Sequence, residues 1–210
     1  QDIIVKSGRV VGVRTNLGIY GADIVINATG PWAQEIGKLA GVSVPVTPDS
    51  HEAAITEPVT RFLDPMVVDI RPCEGSSNFY FYQHMTGQIV FCITPSPNIW
   101  GFDVEETSAF LPMVARRMLE VMPRLTNLRV RRTWRGLYPM TPDGFPIVGY
   151  AKNVEGYLLA VGMCGQGFML GPGLGELIER IVSNRLSDSD LEILQILSPD
   201  RQFAGQELLK

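Results

Sequence analysis

The segment from Arg132 to Asn184 constrains the fold of this chain more than any other part. It contains, in order, a Pro-Asp-Gly turn, a hydrophobic strand, a glycine-dense loop and the start of a helix. A glycine-rich loop that opens a helix lets backbone amides face a bound anion or an electron-rich ring. The segment therefore predicts a turn that faces a ligand.

The composition is that of an ordinary globular protein. The 210 residues are 45% hydrophobic and 19% charged, which is enough apolar content for a real core. The net charge of −4 argues against a nucleic-acid binder, since a surface that follows phosphates normally has a basic excess. No apolar run approaches the roughly 18 residues that a membrane helix needs. The opening residues also lack the pattern of a secretory signal.

Cysteine and histidine usage indicates a reducing compartment. Cys73, Cys92 and Cys164 lie far apart and form no C-x-x-C pair, so neither disulfides nor a zinc site are expected. The two histidines, His51 and His84, are too few for a structural metal site. We therefore expect a cytoplasmic protein without a bound metal.

The first part of the chain predicts an α/β unit. Residues 3–15 form a predicted strand, 16–21 a turn and 22–30 a second strand. Its β-branched run, Ile24–Ile26, suits a strand that is buried on both faces. A helix is predicted from Trp32 to Leu39, before a glycine at position 41.

The pattern of predicted elements changes in the middle of the chain. A helix is predicted from about residue 105 to 122, where Pro123 ends it. Antiparallel strands around one helix are typical of a small substrate or lid domain. The predicted strands are 51–58, 66–70, 78–83 and 88–93, the last two joined by a hairpin at 84–87, and then 127–136.

The last part returns to strands of buried character, at 145–150 and 156–162. A helix is predicted after Gly171, with Pro172 in its first turn. From Ser187 onward we expect a short helix and a polar end that frays. The layout is thus one α/β domain that is split in sequence around a mostly antiparallel insertion.

Three motifs in this layout resemble one family. They are ADIVINATGPWA, the W-x-G-L-Y-x-x-T-P-D-G-x-P-I-V-G run, and GMCGQGFMLGPGLGELI. Together they resemble the FAD-dependent D-amino acid oxidase superfamily, in the branch of glycine oxidase, sarcosine oxidase beta subunit and proline dehydrogenases. The resemblance covers essentially the whole chain, with the motifs in the right order and the insertion in the right place.

The resemblance implies a mixed α/β fold of the α+β type. Residues 1–46 and 137–186 would form part of a Rossmann-like FAD-binding domain, interrupted by an antiparallel substrate-binding domain at 47–136. Residues 187–210 would be a tail. Family members begin with a βαβ unit that carries G-x-G-x-x-G, and this sequence has none. We therefore expect a C-terminal fragment; a gene product that pairs with a separate N-terminal subunit is the alternative.

The resemblance also implies which residues lie against the flavin. These are Ala28, Gly30 and Trp32 in the first motif, and Gly162, Cys164, Gly165, Gln166, Gly167, Phe168 and Met169 in the third. A helix start near the pyrimidine edge of the flavin would stabilise negative charge on the reduced ring. The simpler alternative is a pair of packing turns. The thiol at position 164 is expected to be a small buried group rather than a flavin attachment point.

Substrate contacts are implied for the insertion. Tyr80 and Tyr82 share one strand face at period two, and a tyrosine of this sheet reaches the substrate in related enzymes. A cross-strand packing pair is the alternative. His51 could face the active site or end a strand at the surface.

Tyr138 is a departure from the family pattern. Glycine-oxidase-like members commonly place arginine there, and its fork binds the substrate carboxylate. Arg135, Arg132 and Arg71 are the candidate replacements within this chain, and residues outside it are the alternative.

The implied reaction is hydride transfer from a small amine or amino acid, resembling glycine, sarcosine or proline, to flavin N5. No general base stands out. A flavin-free scaffold or interaction subunit is the competing hypothesis, because a chain without the nucleotide-binding motif should bind FAD weakly or not at all. We also expect self-association through strands Ile24–Ile26 and Leu158–Val161, whose partners would lie in the absent half.

Overall fold

The computed structural model describes residues 1–205, which form two compact units. Within the described residues, the first consists of Gln1–Pro48 and residues 138–205, and the second begins at Asp49 and ends at Leu137. The expected mixed α/β fold with mostly antiparallel strands is confirmed. The elements are β1 (Asp2–Lys6), β2 (Arg9–Thr15), β3 (Gly18–Gly21), β4 (Val25–Asn27), α1 (Ala33–Leu39), β5 (Thr47–Thr56), β6 (Val67–Asp69), β7 (Ser76–Gln83), β8 (Ile89–Pro95), α2 (Phe110–Val121), β9 (Val130–Met140), β10 (Ile147–Tyr150), β11 (Tyr157–Val161), α3 (Gly167–Val182) and α4 (Asp188–Ile196).

An antiparallel meander of β1, β2 and β3 opens the first unit. The single strand predicted over 3–15 is wrong, because Ser7 and Gly8 have positive φ angles of 49° and 78° and reverse the chain. The turn predicted over 16–21 is wrong in part, since β3 occupies its second half and pairs with β2.

The second sheet of this unit has the order β10-β11-β4. The central strand, β11, runs parallel to β4 and antiparallel to β10. The expectation that Leu158–Val161 needs partners from outside the chain is therefore wrong. The prediction that Ile24–Ile26 is buried on both faces is also wrong, since β4 is an edge strand and Ile26 is 42% exposed.

Hydrophobic clusters cover both faces of this sheet. On one face the buried residues include Val10, Val44, Val46, Ile147 and Tyr157. On the other face Val148 and Leu158 pack against Leu177 and Ile181 of α3, together with partly buried residues of α4. Tertiary packing of these faces accounts for the burial of all five residues of β11.

Helix α3 begins one turn earlier than predicted, at Gly167, and Pro172 lies inside it. The proline removes only the bond to the carbonyl four residues before it, and that loss is confined to the first turns of the helix. Helix α4 begins at a capping box in which Ser187 and Asp190 exchange hydrogen bonds.

A five-stranded sheet of order β6-β7-β8-β5-β9 forms the second unit, with α2 on one face. The helix begins at Phe110, five residues after the predicted start. The amide of Glu105 donates to the side chain of Asp103, and that of Thr107 to Glu52, so these residues are held in a loop. No helix within residues 1–205 has the length and apolar character needed to cross a membrane.

Candidate active site

The first and third motifs meet at one end of the sheet in the first unit. Because β4 and β11 are parallel neighbours, with Leu159 opposite Asn27, their carboxyl ends lie at the same edge. The turn at 28–32 leaves β4 there, and the glycine-rich loop at 162–166 leaves β11 beside it. Crevices at the carboxyl ends of parallel strands are where α/β sheets bind ligands.

Asn27 holds the first turn in shape. Its buried side chain accepts hydrogen bonds from the Thr29 amide at 3.2 Å and the Thr29 hydroxyl at 2.6 Å, and its amide donates to the carbonyl of Ala33 at 3.0 Å. Sequence reasoning missed this role, although an Asn two residues before a Thr is a recognisable signal for an Asx turn.

With the turn held by the hydrogen bonds of Asn27, two of its predicted cofactor residues lie at the surface. Ala28 is exposed, and Trp32 is 52% exposed. Gly30 has a φ of 56°, which a side chain would disfavour. The turn therefore presents backbone and one large aromatic ring to whatever binds at this end of the sheet.

The glycine-rich loop has two backbone positions in the left-handed region. Gly162 has a φ of 69°, and a Cβ there would overlap with Thr141 Cγ2. Cys164 has a φ of 51° and is buried; its sulfur lies 3.4 Å from the Gly162 carbonyl and 3.6 Å from Thr141 Oγ1. Strained positions of this kind are typical of ligand-binding turns.

The start of α3 is apolar and exposed. Phe168 is 98% exposed and Met169 72%, and a Cβ added at Gly171, Gly173 or Gly175 would meet no atom of the described chain within 4 Å. The first amides of a helix have no acceptor within it and form the positive end of its dipole. Large apolar side chains exposed at a helix start, as Phe168 and Met169 are, indicate a surface that another group covers.

Gly165, Gln166 and Tyr138 lie at the same place. Gly165 is exposed, Gln166 caps α3, and a Cβ added at Gly165 would lie 3.7 Å from the Tyr138 ring. Tyr138 therefore packs beside the loop and brings no charge to it.

In the second unit the candidate tyrosines lie on the face of the sheet opposite α2. Phe79 and Phe81 belong to the core under α2, so alternation along β7 turns Tyr80 and Tyr82 to the other face. Cys92 of β8 pairs with Tyr80 and lies on the same face.

The two tyrosines differ in what their hydroxyls do. Burial raises the pKa of the Cys92 thiol to about 11, against a hydrogen bond from Tyr80 that lowers it. The Tyr80 hydroxyl is therefore engaged with a neutral thiol. Tyr82 is partly buried, and its hydroxyl has no hydrogen-bond partner among residues 1–205.

His51 is buried and paired with a carboxylate. Its Nε2 lies 3.1 Å from Asp49 Oδ2, and Asp49 also accepts from the Asn98 side chain at 2.5 Å and from the Ile99 amide at 2.9 Å. Burial alone would raise the pKa of Asp49, but the bonds from His51, Asn98 and Ile99 outweigh it and lower that pKa. His51 is only 4% exposed, which excludes the alternative that it ends a strand at the surface.

The three candidate arginines stand in different surroundings. Arg135 is buried, and its Nη1 donates to Asp103 and to the Glu105 carbonyl. Arg71 is largely exposed and is paired with Asp69, and Arg132 is exposed. A role for any of them in carboxylate binding stays a prediction.

A family model described as FAD dependent oxidoreductase matches residues 1–181. The chain belongs to this family. The resemblance drawn from the three motifs is therefore confirmed.

Relatives of this chain include hydrogen cyanide synthase subunit HcnC of Pseudomonas aeruginosa, 32% identical over 191 residues, which are 90% of this chain and 44% of the relative. Glycine oxidase of Pseudomonas putida is 27% identical over 85% of this chain and 46% of its own length. The crystal structure of L-proline dehydrogenase from P. horikoshii matches with a TM-score of 0.83 and 30% identity, over 95% of this chain and 52% of that one. The chain thus spans about half the length of the relatives it matches.

Proposed function

We propose that this chain supplies the flavin-ring side and the substrate side of an FAD-dependent oxidoreductase that oxidises a small amine or amino acid. The observation that carries the proposal is the meeting of the two motif turns at the carboxyl ends of β4 and β11. Residues 1–46 and 137–186 would form part of the flavin-binding domain, and 47–136 the substrate-binding domain. The names of the relatives, glycine oxidase and L-proline dehydrogenase among them, support a substrate of this class.

The residues at this end of the sheet fit a flavin ring. The exposed Gly165 would allow close approach of backbone to a flat ring, and the amides that open α3 would face its electron-rich edge. Trp32, Phe168 and Met169 offer exposed apolar surface for an aromatic ligand. When bound, FAD would supply the acceptor for the hydride.

The chain's own contribution would be orientation and electrostatics. The free dipole end of α3 favours negative charge next to the loop. On the second unit, the Tyr82 hydroxyl would donate a hydrogen bond to the substrate, while Tyr80, bound to Cys92, shapes the surface beside it. Tyr138 would contact the substrate or the ring without charge.

The part of the relatives that this chain does not span would bind the nucleotide portion of FAD, either in the same polypeptide or in a separate subunit. The uncovered apolar start of α3 supports such a partner, since its surface is suited to packing. Without that part we expect weak or absent FAD binding. For the complete protein we expect bound FAD, whereas the competing hypothesis of a flavin-free scaffold predicts none.

Purification of the complete protein, together with any separate subunit that co-purifies with it, tests the proposal. We expect a yellow protein that shows the oxidised flavin band and releases FAD on denaturation. A colourless protein that stays colourless after incubation with FAD would favour the flavin-free scaffold. Purification of residues 1–210 alone, as the control, should give a protein with little or no flavin.

A further inference from the structure

Arg201 closes the Pro-Asp-Gly turn of the first unit. Its Nε and Nη2 donate to the two carboxylate oxygens of Asp143 at 2.8 and 2.9 Å, and Nη2 also donates to the Phe145 carbonyl at 2.9 Å. The exposed fractions of the Arg201 and Asp143 side chains are only 9% and 4%. A bidentate pair of this kind fixes direction as well as distance.

The turn is connected to the glycine-rich loop through Thr141. Its hydroxyl lies 3.2 Å from Asp143 Oδ1 and 3.6 Å from the sulfur of Cys164. Its methyl group occupies the space that a side chain at Gly162 would need. A continuous set of contacts therefore runs from Arg201 through Asp143 and Thr141 to the loop.

The loop needs such support because its conformation is unfavourable by itself. Cys164 is held at a φ of 51°, a region that costs a residue other than glycine about 1 kcal/mol or more and persists only where the surroundings impose it. Loss of Arg201 would leave the buried Asp143 carboxylate without its cation, and the turn would have to open to hydrate it.

We propose that Arg201 is a positioning residue for the flavin-facing loop at 162–167, acting through Asp143 and Thr141. The flavin part of this statement rests on the proposed function; the coupling of Arg201 to the loop does not. The simpler alternative is that Arg201 only fastens the C-terminal segment to the first unit.

Thiol labelling measures the coupling without flavin. In a Cys73→Ser background, which removes the exposed thiol, Cys164 and Cys92 are both buried and lie in different units. Alkylation with iodoacetamide, quantified for each cysteine by mass spectrometry, then reports local opening. Arg201→Gln should raise the labelling rate of Cys164 by about tenfold or more and leave that of Cys92 unchanged.

Arg180→Gln is the matched control, because Arg180 forms the same Nε and Nη2 fork with Asp190 in the same unit. It should leave Cys164 labelling unchanged. Asp143→Asn should raise it as Arg201→Gln does, and the double variant should label no faster than either single one. Unchanged labelling in Arg201→Gln, or an equal rise in Arg180→Gln, would overturn the proposal.

Global unfolding would raise the labelling of both buried thiols, Cys92 and Cys164. If Cys92 labelling also rises in Arg201→Gln, the milder Asp143→Asn variant decides, since it keeps the bond from Arg201 to the Phe145 carbonyl. A rise at Cys164 alone supports the coupling, and a parallel rise at both thiols contradicts it.

A second readout tests the flavin part. In the complete FAD-loaded protein, Arg201→Gln should make the midpoint potential of the flavin more negative, because a displaced helix start stabilises the reduced ring less well. An unchanged potential would mean that Arg201 only holds the C-terminal segment against the first unit, and it would contradict the positioning role. If the protein binds no flavin, the proposed function fails, while the labelling result for Cys164 stands by itself.

Discussion

Leu159 of β11 lies opposite Asn27 of β4 in a parallel strand pair. This register brings together two turns that are separated by more than a hundred residues in the sequence. One turn is clamped by Asn27, and the other by contact between Thr141 and Gly162. The flavin-facing surface that we propose is therefore a property of the strand pairing and not of either motif alone.

Gly162→Ala should destabilise the first unit and distort the loop. The added Cβ would overlap with Thr141 Cγ2, and the φ of 69° disfavours any side chain. Strain and overpacking together should cost about 2–4 kcal/mol in the free energy of unfolding. Urea denaturation measures this loss.

Gly171→Ala is the control for that variant. A Cβ at this position meets open space in a helix, so the substitution should raise stability by up to about 1 kcal/mol in the isolated chain. Equal destabilisation by the two substitutions would show that the contact with Thr141 is not what requires glycine at 162.

If Tyr82 donates to the substrate as we propose, Tyr82→Phe should lower the kcat/KM of the complete protein about 10- to 100-fold, since it would remove one hydrogen bond worth about 1.4–2.7 kcal/mol. Steady-state kinetics with the best substrate measures the effect. Tyr150→Phe, at a 40% exposed position of β10, should change nothing. Wild-type kinetics in the Tyr82 variant would remove this residue from the site.

Acid should weaken the first unit through Asp143. Burial alone would raise the pKa of this carboxyl, but the bonds and charge of Arg201 and the bonds from Phe145 and Thr141 outweigh it and lower that pKa. The stability that the ionised carboxylate supplies is complete above the pKa of about 3.9 of an unfolded aspartate, and it is lost as the pH falls through the lower folded-state value. Unfolding free energies measured from neutral to acidic pH should fall less steeply in Asp143→Asn than in the wild type. Identical slopes would contradict the assignment.

The isolated chain should self-associate through its uncovered apolar surface. Since β11 is fully paired, the candidates are the exposed start of α3 and the edge of β4 with Ile26. Light scattering at micromolar concentration should give a mass above that of one chain, and Phe168→Ser with Met169→Ser should shift it toward the monomer. A monomeric wild-type chain would refute this prediction.

Sequence patterns predicted most elements of the second unit because its strands alternate cleanly. Phe79, Tyr80, Phe81 and Tyr82 assign their faces by period two alone. The meander was missed because Ser7-Gly8 is a weak turn signal within an apolar run. The predicted start of α3 lies too late because a proline suits the first turn of a helix, whereas residues before Pro172, from Gly167 onward, already form it.

For the candidate site, the sequence predicts the motifs but not how they come together. The two motifs that we propose to face the flavin stand out in the sequence, but their meeting depends on the parallel pairing of β4 and β11, which local patterns do not encode. The link between Arg201 and Asp143 joins residues that are distant in sequence and have no local signal. Such contacts become visible only once the strands are in register.

The anaerobic absorbance spectrum of the full-length gene product tests the central claim most directly. We predict that the oxidised flavin band bleaches when at least one of glycine, sarcosine or proline is added, and persists when acetate, which has no amine, is added instead. A protein without flavin, or one whose flavin band is unchanged by every small amine and amino acid, would contradict the account.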